Sequence, residues 1–234
     1  MTNKFADTVV ILAAGRGTRM GREMPKVLLD IGGKPVLQYA IDFWKKEGVS
    51  NFIFVLGYKK DAVFSFLEKS GLQKYDAVYQ EEQKGIAHAI SYARPLIEDK
   101  FIVSLGDCLH FDNSFFTYPE RMENGYGLWR GNYQKQLSLC CSAWVENDQV
   151  VRVVEKGRAP YVGIGTYFFD KRVFDYIEKA KPSSYRNETE ITEVLQNMID
   201  AGERLKPVFL DGEFINLTYP EDIKYAEQLI KAVK

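Results

Sequence analysis

The stretch TVVILAAGRGTRMGREMPK, Thr8 to Lys26, joins an apolar run to a glycine-rich loop. Val9–Ile11 shows no polar alternation, so it reads as a strand buried on both faces, the kind that a parallel sheet uses. The loop has glycines at 15, 17 and 21, and Arg16, Arg19 and Arg22 precede its final Lys26. Small residues let backbone N–H groups approach phosphates, and basic side chains neutralise them. Two familiar phosphate loops do not fit. A P-loop needs G-x-x-x-x-G-K-[ST], and Lys26 here follows Pro25. The dinucleotide fingerprint needs a third glycine where Met20 stands, and an acid after the next strand, which instead ends in LGYKK. What remains is either a loop that cradles a triphosphate or an ordinary glycine turn with solvated basic side chains.

Outward from this loop, strand-like and helix-like segments alternate. DTVVIL, NFIFVLGY, YDAVYQ and KFIVSLGD read as strands. PVLQYAIDFWKKEG, KDAVFSFLEKSG and GIAHAISYARPLIED read as helices, the last bent or ended near Pro95. Repeated β-α order argues for a parallel, doubly wound sheet. After Asp107 the texture changes. YGLWRGNY, LSLCCSAWVEN, QVVRVVEK and YVGIGTYFFD are strand-like, and helices return at RVFDYIEKA, EITEVLQNMIDAG and PEDIKYAEQLIKAV. The expectation is one α/β domain over residues 1–234: Rossmann-like, three-layer α/β/α, with a mixed, mostly parallel, twisted sheet.

Charge and cysteine usage narrow the setting. The 234 residues carry 31 basic and 32 acidic side chains, net −1. No basic excess points to nucleic acid or an anionic membrane, so any phosphate affinity is local. The first fifteen residues are too polar and their apolar part too short for a signal peptide, and no apolar run reaches the ~18 residues of a membrane span. Cys108, Cys140 and Cys141 are odd in number and lack zinc spacing. A reduced, cytoplasmic setting is expected. The oligomeric state, a homo-oligomer included, is open.

The run LAAGxGTRM followed by PK resembles the signature of the nucleotidyltransferases that activate sugar 1-phosphates. It is especially similar to the uridylyltransferase domain that makes UDP-N-acetylglucosamine in bacteria. The likeness continues through GGKPVLQYAIDFWKKEGV, YQEEQKGIAHAI, VSLGD, VVEKG, YVGIGTYFFD and EFINLTYPEDIKYAE, in family order. It implies a GT-A-like fold and an enzyme of the nucleotidyl-transfer class. Residues 1–110 would form its nucleotide half and residues 111–234 its acceptor half. The tandem acetyltransferase domain of that uridylyltransferase has no counterpart before Lys234.

The resemblance also implies roles. Leu12, Ala13, Ala14, Gly15, Arg16 and Gly17 would cradle the nucleotide, Arg19 would grip the outgoing phosphates, and Lys26 would stabilise charge at the α-phosphate. Gln80, with Gly85 five residues on, would read the pyrimidine edge. An amide can turn to suit uracil or cytosine, so Gln80 restricts the base without fixing it. His88 is read as structural. Asp107, at the end of a buried strand, suits Mg²⁺. Asn216 stands where most of the wider family has the second metal-binding aspartate, and the resemblance implies that the uridylyltransferase has asparagine there as well. Glu155 would take sugar hydroxyls, Lys156 the acceptor phosphate, and Gly165 would let a sugar lie against backbone. Ile164 and Ala143 depart from the family's acceptor pattern. Asp222 reads as a first-turn helix acid, and Asn187 or Thr189 as a helix cap.

The reaction expected is a pyrimidine NTP plus a sugar 1-phosphate giving an NDP-sugar and pyrophosphate, with UTP ahead of CTP and dTTP. Two alternatives stay open. One is cytidylyl transfer to a non-sugar phosphate or phosphonate, motivated by the altered acceptor half. The other is a nucleotide-binding regulator without catalysis, motivated by Asn216.

Overall fold

A computed structural model describes residues 4–17, 24–130, 141–155, 159–183 and 188–233. Its first strand, β1 (Thr8–Ala13), pairs in parallel with β4 (Asn51–Leu56) on one side and β6 (Phe101–Leu105) on the other. Next to β4 lies β5 (Asp76–Tyr79), also parallel. Between β1 and β4 the chain forms a small hairpin, β2 (Asp30–Ile31) with β3 (Lys34–Pro35). The parallel run ends at β6, where the long strand β12 (Tyr161–Phe169) pairs with it antiparallel. Beyond β12 come β9 (Asn124–Trp129), β13 (Leu205–Asp211) and β8 (Phe115–Thr117). The ribbon of β10 (Ser142–Glu146) and β11 (Gln149–Val154) branches from β12. A two-stranded pair, β7 (Cys108–His110) with β14 (Phe214–Asn216), stands apart from this mixed, mostly parallel sheet.

Side chains of β1 show why there are three layers. Val9, Ile11 and Ala13 point to one face, where α1 (Val36–Lys46) and α2 (Lys60–Leu67) supply Leu37, Ile41, Trp44, Val63 and Leu67. Val10 and Ala14 belong to the opposite face. There α3 (Ile86–Ser91), α4 (Val173–Lys179) and α5 (Ile191–Asp200) bring Ala87, Ile90, Phe174, Val194 and Leu195. A strand buried on both faces cannot alternate with polar residues, and this one does not. Helix α1 follows its sequence signals: Pro35 caps its start, Lys45 and Lys46 close it, and Gly48 turns the chain at φ 83°.

Three details differ from the sequence expectation. The helix expected over GIAHAISYARPLIED stops at Ser91, and a separate 3₁₀ turn at Arg94–Leu96 carries Pro95. The central strand β13 went unrecognised because Pro207 argues against an inner strand. That proline lies opposite Tyr126 of β9 and ahead of Phe209–Asp211, the segment that pairs with β8, so its missing N–H falls outside the β8 pairing. Thr189 does not cap α5, whose N-cap is Glu190 without a side-chain bond. Asn187 lies outside the described residues.

A satellite core completes the fold. Ile31, Leu109, Phe111, Ile215, Leu217 and Ala226 of α6 (Pro220–Val233) pack together, all buried. This cluster carries the 214–217 segment back to the end of β6. Among the described residues no helix is long and apolar enough to cross a membrane.

Candidate functional site

The strands β4, β1 and β6 are parallel, and the chain leaves β1 for β4 on one side and reaches β6 on the other. Such a reversal opens a crevice at the carboxyl ends of the strands. Ala13–Gly17, Leu56–Tyr58, Gln80 and Gly106–Asp107 all follow those ends. Backbone bonds tie them together. The Leu12 carbonyl accepts from the Gly106 N–H at 2.9 Å, and the Ala14 carbonyl from the Tyr58 N–H at 3.1 Å. Gln83 Nε2 also donates to Ala14 O, at 2.5 Å. Ala13 and Ala14 are buried and Leu12 is partly so. These three therefore act as anchored backbone.

The glycines separate by cause. Gly17 has φ 60°, and a β-carbon there would stand 2.9 Å from Lys26 Cβ, so the fold itself requires it. A β-carbon on Gly15 would meet nothing within 4 Å. Gly15 is thus bare toward open space, as a site for a closely approaching ligand would be. Arg19 lies outside the described residues, and Arg16 lines a cleft of about 620 Å³ with Tyr58, Lys60 and Gln80.

Lys26, Asp107 and Asn216 converge in a second cavity of about 330 Å³, which Gly17, Glu155 and Gly165 also line. Lys26 opens a 3₁₀ turn behind Pro25. Its Nζ forms an ion pair with Asp107 and donates to Leu217 O at 2.7 Å. Both charged side chains are largely covered, at 17% and 22% exposure, so their attraction is screened less than at a surface. Asn216 comes to this place by pairing: it faces Cys108 in the β14–β7 ladder, and Leu217 N–H donates to Asp107 O at 3.2 Å. Asp222 points elsewhere. Its Oδ2 accepts from the N–H groups of Thr218 and Tyr219 at 2.8 and 2.7 Å, capping α6 as expected.

Gln80 follows β5 and is only 6% exposed, and its Nε2 lies 3.0 Å from His88 Nδ1. Sequence reading had no signal for this contact beyond the helical placement of His88. Gly85 has φ 99°, and a β-carbon there would strike Thr189 O at 2.6 Å. The Thr189 backbone donates to Lys84 O at 2.9 Å and accepts from the Ala87 N–H at 3.3 Å. The segment before α5 therefore straps the loop that carries Gly85.

On the far wall, Glu155 Oε2 accepts from Cys141 Sγ at 2.9 Å and, more weakly, from Thr192 Oγ1 at 3.4 Å. Neither donor was singled out from sequence. Lys156 lies outside the described residues. Gly165 has φ 69°, and a β-carbon would overlap Leu105 Cδ1 at 2.4 Å. It sits where the register of β12 on β9 shifts. Gly163 leaves room for Tyr126, which stacks on Tyr167 at 5.5 Å, and both rings line the cavity. Ile164 and Ala143 are buried in the two main cores, so neither departure presents a side chain to the cavity.

Among the described residues no three His, Cys, Asp or Glu side chains gather as a metal cage. One carboxylate beside one amide is instead the sparse oxygen set that Mg²⁺ accepts when phosphates supply other ligands.

Residues 108–232 match the family model described as Nucleotidyl transferase, and residues 9–119 match the MobA-like NTP transferase domain. The UTP–glucose-1-phosphate uridylyltransferase AglF of Haloferax volcanii is 29% identical, over 95% of this chain and 96% of that one. The chain spans about half the length of the bifunctional relatives it matches. A solved UDP-glucose pyrophosphorylase in complex with UDP-glucose superposes with a TM-score of 0.78 at 22% identity, over 97% of this chain and 99% of that one. The inositol-1-phosphate CTP transferase from T. maritima does so with 0.80 at 21%, over 97% and 96%.

Proposed function

Given that the chain belongs to the nucleotidyl transferase family, we propose that it joins a pyrimidine nucleotide, UTP first, to a sugar 1-phosphate. In this reading residues 1–110 hold the nucleotide and residues 111–234 the acceptor. An acceptor phosphate oxygen attacks the α-phosphorus of the NTP. The bond from that phosphorus to the β-phosphate bridging oxygen breaks, and pyrophosphate leaves on the opposite side. The nucleophile is already an anion, so the task is to bring like charges together and hold them in line.

The observation that carries this reading is the convergence of Lys26, Asp107 and Asn216 on one cavity, with Asp107 just beyond the carboxyl end of the parallel strand β6. Lys26 Nζ is held there by Leu217 O and supplies fixed positive charge where phosphate charge develops. Asp107 and Asn216 would hold Mg²⁺, which supplies further neutralisation of the phosphates when bound. Arg16 lines the neighbouring cleft, and by family likeness Arg19 would grip the outgoing phosphates. Gln80 meets the base, and Glu155, oriented by Cys141 and Thr192, accepts hydrogen bonds from sugar hydroxyls. Gly165 keeps the backbone of β12 bare beside it.

The relatives include a uridylyltransferase, and the fold neighbours include a CTP transferase, so the fold alone does not choose the base. A pyrophosphate-release matrix tests the proposal: UTP, CTP, dTTP, ATP and GTP against several sugar 1-phosphates and small phosphonates, with Mg²⁺. Release with UTP and a sugar 1-phosphate is expected. Release only with CTP and a non-sugar acceptor would replace the proposal with cytidylyl transfer. No release in any cell would favour a binding protein.

A further inference from the structure

The amide of Gln80 is free in principle to present either its oxygen or its nitrogen to a base. Its surroundings remove that freedom. A buried amide must satisfy its polar atoms within the protein or with a ligand. Nε2 faces Nδ1 of His88 at 3.0 Å, whereas Oε1 accepts no hydrogen bond among the described residues. Gln80 lines the cleft of Arg16 and Tyr58.

His88 is built to accept that bond. Burial lowers its pKa, and the positive charge of Lys84 acts in the same direction, against weaker opposition from Glu82. The imidazole is therefore neutral at pH 7 and offers one N–H and one bare nitrogen. An amide N–H can only donate, so Nδ1 accepts and the ring proton sits on Nε2. The ring is also held in place. It stands edge-on to Tyr92 at 5.2 Å and 85°, and Ser91 Oγ donates to the His88 carbonyl at 2.7 Å.

We propose that His88 determines base selectivity by accepting a hydrogen bond from Gln80 Nε2, which turns the Gln80 oxygen toward the base. An oxygen facing base N3 meets an N–H in uracil and thymine but a lone pair in cytosine. The cytosine complex must then break the His88 bond and flip the amide, or leave two acceptors in contact. His88 acts through Gln80, so it is a positioning residue. The inference rests on the base-reading role proposed above for Gln80.

Binding is the readout, so the acceptor need not be known. UTP and CTP dissociation constants are measured by calorimetry, with Mg²⁺, on wild type, His88→Leu, His88→Asn and Gln80→Ala. Wild type is expected to prefer UTP by tenfold or more. His88→Leu removes the acceptor, and the preference should fall to about threefold or less. In His88→Asn the side-chain oxygen takes the place of Nδ1, and the preference should return. A purely structural role for the ring would weaken both nucleotides alike and would not be rescued by asparagine. Unchanged preference in His88→Leu overturns the proposal, as does an equal loss in His88→Asn. Should Gln80→Ala also leave the preference intact, the base-reading role of Gln80 fails with it. If Gln80→Ala abolishes the preference and His88→Leu does not, only the His88 proposal falls. Thermal unfolding of each variant separates misfolding from loss of selectivity.

Discussion

The two halves of the sheet meet where β6 pairs with β12, and they build their sites by different means. On the parallel side, Lys26, Gln80 and Asp107 follow strand ends or short turns, and backbone bonds such as Gly106 N–H to Leu12 O hold the loops. On the antiparallel side, Gly163 and Gly165 give up their side-chain space to Tyr126 and Leu105, and the cavity wall is built from groups paired across long sequence distances. Glu155 and Thr192 are 37 residues apart. The first half uses position at strand ends, whereas the second uses packing. Substitutions in the two should therefore fail differently, in catalysis or binding on one side and in stability on the other.

The largest expected effect tests the first half. Lys26→Ala should lower turnover by about 10²–10³-fold, as removal of one preorganised charge contact does. A modest fall in melting temperature should accompany it, because Asp107 and the Leu217 carbonyl lose a largely covered partner. Initial-rate kinetics beside thermal unfolding check both parts.

A glycine pair sharpens the contrast. Gly165→Ala places a β-carbon against Leu105 at a positive φ and should cost about 2–4 kcal/mol of stability. Gly15→Ala meets nothing within 4 Å and should stay within about 0.5 kcal/mol of wild type, while weakening nucleotide binding. Urea titration and nucleotide calorimetry on both variants would break the comparison if their roles exchanged.

Acid should weaken the fold through a group outside the site. His110 is buried, stacks on Phe43 at 4.1 Å, and neither ring nitrogen has a hydrogen-bond partner among the described residues. Burial pushes its pKa from 6.5 down to about 3. Its neutral form is fully compatible with folding above pH 6.5, and stability is lost as pH falls from there toward 3. By pH 5 this group alone removes about 2 kcal/mol. His110→Phe should abolish that part of the loss in urea midpoints compared at pH 8 and pH 5.

Thr192→Val should have the smallest effect. The bond to Glu155 is long, at 3.4 Å, so the acceptor KM should rise about two- to tenfold, with the NTP KM unchanged. A change in the NTP KM instead would show that the wall around Glu155 serves the nucleotide.

This difference between halves also governs what could be read without coordinates. Unbroken apolar runs announced β1, β4 and β6, because burial on both faces leaves a local trace, whereas α3 ends at Ser91, ahead of the expected break at Pro95. The three layers followed from β-α order. Strand β13 stayed hidden because Pro207 is a local argument against a strand that cross-strand pairing overrides. At the site, the strand-end position of Asp107 was a local reading, whereas the role of Lys26 came from family likeness. Asn216 was named from family likeness, but its approach to Asp107 depends on the β14–β7 ladder. The Gln80–His88 contact, the Thr189 strap and the donors to Glu155 had no local trace, since each joins separate elements. Gly85 and Gly165 were chosen as ligand-facing glycines. Both have packing reasons as well, against Thr189 and Leu105, which spacing does not reveal.

The central claim is that the cleft at Gln80 and the cavity at Lys26, Asp107 and Glu155 form one nucleotide-sugar site. A crystal structure with UDP-glucose or UDP-N-acetylglucosamine and Mg²⁺ tests it most directly. The account predicts uracil at Gln80, the diphosphate across Lys26, Asp107 and Asn216, and the sugar between Glu155 and Gly165. A nucleotide bound elsewhere, or bound with its base at Glu155 and its sugar at Gln80, would contradict it.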